Sequence, residues 1–246
     1  MSMWKIAMPE NSLADSATLA ATGARAAFAG LSRSAQAAML LLNALPFCHV
    51  ALIAIGSVSM PGAFAKAAVA IGGIYLAPPL LVRLLLKLRP LRAGSYQLDA
   101  PEFLRWWASA QGQILFCRFP FLEEMLRLVP GLYSAWLRLW GAKVGRLTYW
   151  APEMRIFDRS LIEIGDDVVF GVGGRLVPHV IAEDGSGAAH LHLGPVRIGD
   201  GCRIGGYSLL TAGTVVEPGQ TLKAFSLSPP FTLWRDGRRS KIAIPQ

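Results

Sequence analysis

Residues 198–222 read IGDGCRIGGYSLLTAGTVVEPGQTL, and an apolar β-branched residue or Leu recurs at every sixth position: Ile198, Ile204, Leu210, Val216, Leu222. Four positions after each stands a small or short side chain: Cys202, Ser208, Thr214, Gln220, Ser226. A six-residue clock is the signature of a parallel β-helix. One apolar residue per short strand points inward and stacks on its counterpart a turn later, while Gly, Asp or Pro turns the corner. A short inward residue fits the narrow interior, which makes Cys202 a filler rather than a reactive thiol.

The clock runs earlier as well. VGRLTY, WAPEMR, IFDRSL, IEIGDD and VVFGVG begin at Val144, Trp150, Ile156, Ile162 and Val168, in the same phase modulo six. The two blocks are interrupted by residues 174–196, RLVPHVIAEDGSGAAHLHLGPV after the first Gly. One hexad says nothing, but ten in two phased blocks define an architecture.

Upstream the chain is of another kind. Of 246 residues 53% are hydrophobic and 16% charged, against about 25% charged in an ordinary soluble domain. The excess is local. Residues 37–58, AAMLLLNALPFCHVALIAIGSV, carry no Asp, Glu, Lys or Arg, and residues 67–82, AAVAIGGIYLAPPLLV, are equally bare. Each run approaches the ~20 residues that cross a bilayer, and the distance of the first from the amino end excludes a signal peptide. The expectation is a transmembrane hairpin turning at SVSMPGAF. Arg25 and Arg33 precede it, Arg83, Lys87, Arg89 and Arg92 close it, and only Lys66 lies near the turn; both ends therefore face the cytoplasm. His49 lies inside the first run, where a neutral imidazole bonded to a carbonyl suffices.

The formal charge of +8 does not indicate nucleic acid, because the basic residues form no stripe on a nucleic-acid motif. One cluster ends the hairpin, where anionic lipid accounts for it. The other is the tail WRDGRRSK, where Arg235 and Arg238 suit a phosphate-bearing cofactor. Cys48, Cys117 and Cys202 lack metal spacing and read as reduced thiols. Between hairpin and repeats, residues 103–141 mix helical periodicity with Trp106, Trp107, Tyr133, Trp136 and Trp140. This pattern suits helices lying flat at the membrane surface or a helical cap on the repeats. The division expected is 1–35 cytoplasmic segment, 36–92 hairpin, 93–143 amphipathic interfacial helices, 144–228 β-helix with an active-site loop at 174–195, and 229–246 basic tail.

IGDGCRIGGYSLLTAGTVVEPG resembles the left-handed β-helix of the hexapeptide-repeat acyltransferases, in which three hexads make one triangular coil. FLRWW through WLRLWGAKVG is similar to the region before the repeats in membrane-embedded acyltransferases and polylysine-synthetase-like proteins. The resemblance implies a homotrimer with sites between subunits and transfer of an acyl group from acyl-CoA, or from acyl carrier protein, to a hydroxyl or amine. It also implies donor contacts at Gly205, Gly206 and Ser208 in the hexads, with Arg235 and Arg238 behind them. Such transfer needs a base, and a neutral imidazole is the usual one. Related enzymes carry a catalytic His about a dozen residues before a PVxIG hexad with acids soon after it. His179 precedes Pro195-Val196-Arg197-Ile198-Gly199, and Glu183 and Asp184 follow it as candidates to fix its tautomer. The insert GSGAA departs from that pattern.

His190 and His192 alternate with Leu191 and Leu193, so they share a face as a surface pair or a substrate contact. Three histidines also resemble the zinc set of γ-class carbonic anhydrases, but the His-x4-His pair of those enzymes is absent here and no metal is expected. A non-catalytic β-helix scaffold at the membrane is the remaining alternative. The reading is an acetyl- or acyltransferase of the inner membrane, its catalytic domain in the cytoplasm. The acceptor expected is membrane-proximal, a lipid-linked saccharide or a natural product.

Overall fold

The computed structural model describes residues 31–183 and 188–245. Its first half is helical. Helix α1 (Arg33–Ser59) opens where the Ser32 hydroxyl accepts the amide of Ala35 at 3.2 Å, one of the orphan donors of a helix start. It stops before Pro61-Gly62, where Gly62 takes φ 77°. The chain returns as α2 (Ala63–Tyr75) and α3 (Ala77–Leu88), which part at Leu76 because Pro78 and Pro79 open the first turn of α3. By length and composition Arg33–Ser59 and Ala63–Leu88 are long and apolar enough to cross a membrane. Strand β1 (Gly94–Gln97) follows, then α4 (Pro101–Arg118), α5 (Phe121–Arg127) and α6 (Leu132–Leu139).

The second half is a parallel β-helix. Its first coil is β2 (Lys143–Val144), β3 (Tyr149–Trp150) and β4 (Arg155–Ile156); its second is β5 (Ile162–Ile164), β6 (Val169–Phe170) and β7 (Arg175–Val177). The chain then leaves as an antiparallel hairpin, β8 (His179–Glu183) and β9 (Ala189–Leu193). It resumes with β10 (Val196–Ile198), β11 (Arg203–Ile204), β12 (Leu209–Thr211), β13 (Val215–Val216), β14 (Thr221–Leu222) and β15 (Leu227–Ser228). A fifth coil begins at β16 (Thr232–Arg235), against which β17 (Arg238–Lys241) folds back antiparallel. Three parallel sheets result, one per side of the triangle.

In the later coils each inward residue pairs with the one eighteen positions on: Ile198 with Val216, Ile204 with Leu222. The first two coils differ. Val144 pairs with Ile164, Trp150 with Phe170 and Ile156 with Leu176, twenty positions apart. The two extra residues lie in a 3₁₀ turn at Arg159–Leu161. The unbroken phase expected across the first block is therefore corrected: the clock slips by two after Ile156. Ile162 and Val168 remain buried, but the stacked stations belong to Ile164 and Phe170. The excursion restores the phase, which is why counting modulo six conceals the slip.

The coil stack passes straight across the excursion, because the amide of Gly194 reaches the carbonyl of Pro178 at 3.0 Å and that of Gly213 reaches Gly194 at 3.0 Å. The excursion is thus Pro178 to Gly194, tighter than the loop expected over 174–195. Beyond it, β9 pairs with β1, tying the hairpin to the segment just after α3. Helix α6 closes the first coil, and Tyr133, Trp136 and Trp140 are buried with Phe116 against it. Trp106 is buried too, with Phe103, Leu191 and Leu193. Of the two placements expected for the five aromatic rings, the burial of these four fits the helical cap, because an end coil leaves its apolar interior open unless something covers it.

Candidate active site

The slip builds the site. Asp158 stands at the head of the 3₁₀ turn with φ 44°, a left-handed conformation that Asp tolerates better than most residues. Its carboxylate is buried, and both oxygens are used. Oδ1 accepts the indole N–H of Trp106 at 2.9 Å. Oδ2 is hydrogen-bonded to Nδ1 of His179, the first residue of β8. The Trp106 ring packs on the imidazole, centroids 4.6 Å apart, and Phe157 meets it edge-on at 6.3 Å.

Burial alone would depress the His179 imidazole, but the charge of Asp158 and the hydrogen bond to it outweigh burial and hold the pKa above the usual 6.5. With Nδ1 committed to the carboxylate, Nε2 is the nitrogen left for proton transfer, and the side chain is 24% exposed. The arrangement can take a proton from a nearby hydroxyl, amine or thiol and return it.

The neighbour of Asp158 fixes the corner in place. Arg159 is 1% exposed. Its backbone amide and Nη1 both donate to Gln113 Oε1, at 2.8 and 3.1 Å. Its Nε donates to Glu123 Oε1 at 2.8 Å, and Nη2 donates to the same oxygen. Glu123 Oε2 accepts Tyr133 at 2.7 Å and Arg127 at 3.0 Å. Above the guanidinium lie Phe116, Trp136 and Trp140, with Cζ within 5.7 Å of each ring centre. Burial works against the guanidinium's charge; Glu123 overrides it and raises the pKa. Burial and Glu123 together push the Tyr133 phenol well up. A buried charge survives only when its hydrogen bonds are met, and here they are met by α4, α5 and α6.

His179 is on this site. The carboxylate at its Nδ1 is that of Asp158, where Glu183 or Asp184 was expected. Glu183 lies four residues along the same strand, about 13 Å away at ordinary strand rise, and Asp184 lies outside the described residues. His190 and His192 face away from His179. Directly opposed residues of an antiparallel pair share a face; His179 is opposite Leu193, whereas His192 is opposite Val180 and His190 opposite Ala182. The three imidazoles of one chain therefore do not converge, and among the described residues no group of three His, Cys, Asp or Glu is arranged for a metal ion.

His192 instead edges a cleft of about 430 Å³ with Phe231, Arg239 and Lys241. Its Nδ1 is without a partner among the described residues, and its pKa is lowered by burial first, then by His190 and Lys241. The donor contacts expected in the hexads have structural work. A Cβ on Gly205 would stand 2.3 Å from the Ala224 amide nitrogen, and Gly206 lies 3.1 Å by the same measure from the Val172 carbonyl. Ser208 is buried inside the coil, its Oγ donating to the Lys223 carbonyl at 3.2 Å. In the tail Arg235 is paired with Glu217, and Arg238 is exposed on β17.

Asp158 and Trp106 were not found by counting hexads. The signal was present: Ile164-Gly165-Asp166 repeats Ile198-Gly199-Asp200, and aligning those two triplets exposes the two-residue surplus that carries Asp158. Nothing comparable marks Trp106, whose role depends on how α4 docks.

Repeated hexads, three parallel sheets and an eighteen-residue coil are now in view. Residues 143–241 fold as a parallel β-helix of hexapeptide repeats. Among solved structures the chain is similar to a hexapeptide-repeat acetyltransferase from Vibrio cholerae O1 biovar eltor complexed with acetyl-CoA, at 20% identity over 56% of this chain and 90% of that one, TM-score 0.37. It is also similar to a maltose O-acetyltransferase from Clostridium difficile 630, at 14% identity over 63% and 95%, TM-score 0.29. No protein-family profile matches this repeat protein, and no curated protein does. Both TM-scores lie below 0.5.

Proposed function

We propose that this hexapeptide-repeat protein is a membrane-bound acyltransferase with a left-handed β-helix, moving an acyl group from acyl-CoA to a hydroxyl or amine. The observation that carries the reading is the imidazole of His179 bonded through Nδ1 to a buried Asp158 and walled by Trp106. An alcohol is a poor nucleophile near neutral pH. Nε2 of His179 takes its proton as the oxygen attacks the thioester carbonyl. The C–S bond then breaks, and Nε2 returns the proton to the leaving thiolate, so no net proton is consumed. Asp158 holds the tautomer and steadies the imidazolium formed in between.

What supports the membrane in this reading is the pair of apolar helical segments, whose outward faces present Leu41, Phe47, Val58 and Phe64 to the surroundings. On the charge of the flanks, both ends of the hairpin face the cytoplasm of an inner membrane. There the β-helix meets acyl-CoA and a membrane-proximal acceptor such as a lipid-linked saccharide. A homotrimer with sites between subunits belongs to the same reading, supported by the resemblance of the hexads.

The test is transfer of labelled acetyl from acetyl-CoA by the full chain in detergent or liposomes, followed by thiol release. His179→Ala is expected to lower turnover about 10²–10⁴-fold while the melting temperature stays within a few degrees. Full activity in that variant overturns the assignment.

A further inference from the structure

Between α1, α3 and α4 lies a cleft of about 320 Å³, within the range of small-ligand pockets. It is on the far side of α4 from His179. Its walls are apolar, with Leu45 and Leu52 from α1, Leu81 and Leu85 from α3, Ile114 and Leu115 from α4. Two features set it apart from a packing defect. The first is His49, which lines it and whose Nε2 is buried with no hydrogen-bond partner among the described residues. A polar atom in such a wall carries a penalty unless a ligand matches it. The second is charge at one end. Following α3 from Leu81 toward its carboxyl end, about 12 Å of helix leads to Lys87 and Arg89, with Arg83 between and Arg92 just beyond. None of the four is paired with a carboxylate among the described residues, and Arg83 meets only the carbonyl of Arg138, at 3.4 Å.

A hydrocarbon-lined cleft, one unmatched polar atom along its length, and unpaired cations one to two turns away match one class of ligand. We infer that the cleft holds a hydrocarbon chain of an anionic membrane lipid, its ester group within reach of His49 and its phosphate among Arg83, Lys87, Arg89 and Arg92. This rests on the membrane-bound half of the proposed function and not on the transferase half. Asn43 keeps the cleft in shape, because its Oδ1 accepts both Trp107 Nε1 at 3.0 Å and Gln111 Nε2 at 2.9 Å and so ties α1 to α4. The floor is the contact of Gly112 with Val82, where a Cβ on Gly112 would stand 2.5 Å from the Val82 side chain.

The experiment is native mass spectrometry of the full chain, extracted in mild detergent from vesicles of equal phosphatidylglycerol and phosphatidylcholine, with no acyl donor present. Retained phosphatidylglycerol is expected, in at least tenfold excess over phosphatidylcholine. Ala108→Phe, which fills the cleft, should cut the retained lipid at least tenfold. Ile71→Phe, on an exposed face of α2 that does not line the cleft, should leave it unchanged. Lys87→Gln with Arg89→Gln should erase the preference between headgroups. Equal loss in both Phe variants, or no retained lipid in the unmodified chain, overturns the inference.

Should Ala108→Phe not fold, a phosphatidylglycerol with a photoactivatable chain on the unmodified protein decides. Crosslinks concentrated on Leu45, His49 and Ala108 support the site, and crosslinks spread evenly over Leu41, Phe47, Val58 and Phe64 overturn it. Lipid retention without acyl transfer would retire the enzyme reading alone, and transfer without retention would retire this one alone.

Discussion

Asp158 and Asp166 are aspartates at successive corners of the β-helix, before and after β5, and they do opposite things. Asp166 is exposed. Its Oδ1 accepts the amide of Arg146 one coil back at 2.7 Å, and its own amide donates to Asp200 one coil on, also at 2.7 Å. It is a rung in a ladder, interchangeable in kind with Asp200. Asp158 is buried, belongs to no ladder, and spends its oxygens on an indole and an imidazole from distant parts of the chain. The difference comes from two extra residues. Where the period holds, a side chain meets the same station in the next coil and can only repeat it. Where the period slips, the corner swings clear of the stack and can meet something new.

That contrast is open to attack at both kinds of corner. Asp158→Asn should have the largest effect. It removes the charge that steadies the imidazolium, and turnover is expected to fall about 10²–10⁴-fold. The unmodified protein should have its acid limb of kcat/KM above pH 6.5, because activity needs the neutral imidazole and Asp158 raises the His179 pKa. In the Asn variant that limb should move to lower pH, and a limb that stays put would detach Asp158 from His179. The same shift has a stability sign: its contribution is complete below about pH 6.5 and is lost as pH rises through the His179 value.

Arg159→Met comes next. It takes the donors from Glu123 Oε1, leaving Tyr133 and Arg127 on Oε2, and should cost about 2 kcal/mol in denaturation of the solubilised protein. A loss below about 1 kcal/mol would mean the corner does not depend on this clamp. At a regular corner, Gly205→Ala pushes a methyl into the Ala224 backbone and should cost about 1–3 kcal/mol, without any change in the pH profile. The smallest effect belongs to Gly219→Asn. Gly219 has φ 73° and open space where a Cβ would go, and Asn tolerates that conformation, so the change should stay within about 0.5 kcal/mol.

The same contrast explains what could be read in advance. A hexad clock is a local property, repeated many times, so it shows in a single sequence; so do two apolar runs flanked by Arg and Lys. His179 was legible because it stands beside the interruption. Its partner was not, since Asp158 sits in IFDRSL, a hexad that looks regular until the chain is threaded through twenty rather than eighteen residues. The aromatic residues of 103–141 left a membrane surface and a helical cap both open for a related reason. Trp and Tyr suit a headgroup region and a buried coil end equally well, and only docking distinguishes the two. Arg159 and Glu123, thirty-six positions apart, carry no pattern at all, because a charge buried by tertiary packing has no period to announce it.

One strand bears on life in a crowded solution. The six-stranded side of the triangle ends at β17, whose four residues, Arg238, Arg239, Ser240 and Lys241, are all exposed. A bare parallel strand at that edge would be a template for the edge of another chain. Instead the chain reverses on itself and presents three cations, so an approaching copy meets its own charge repeated. The tail that reads as a ligand grip in sequence also makes this edge of the sheet a poor template for further strands.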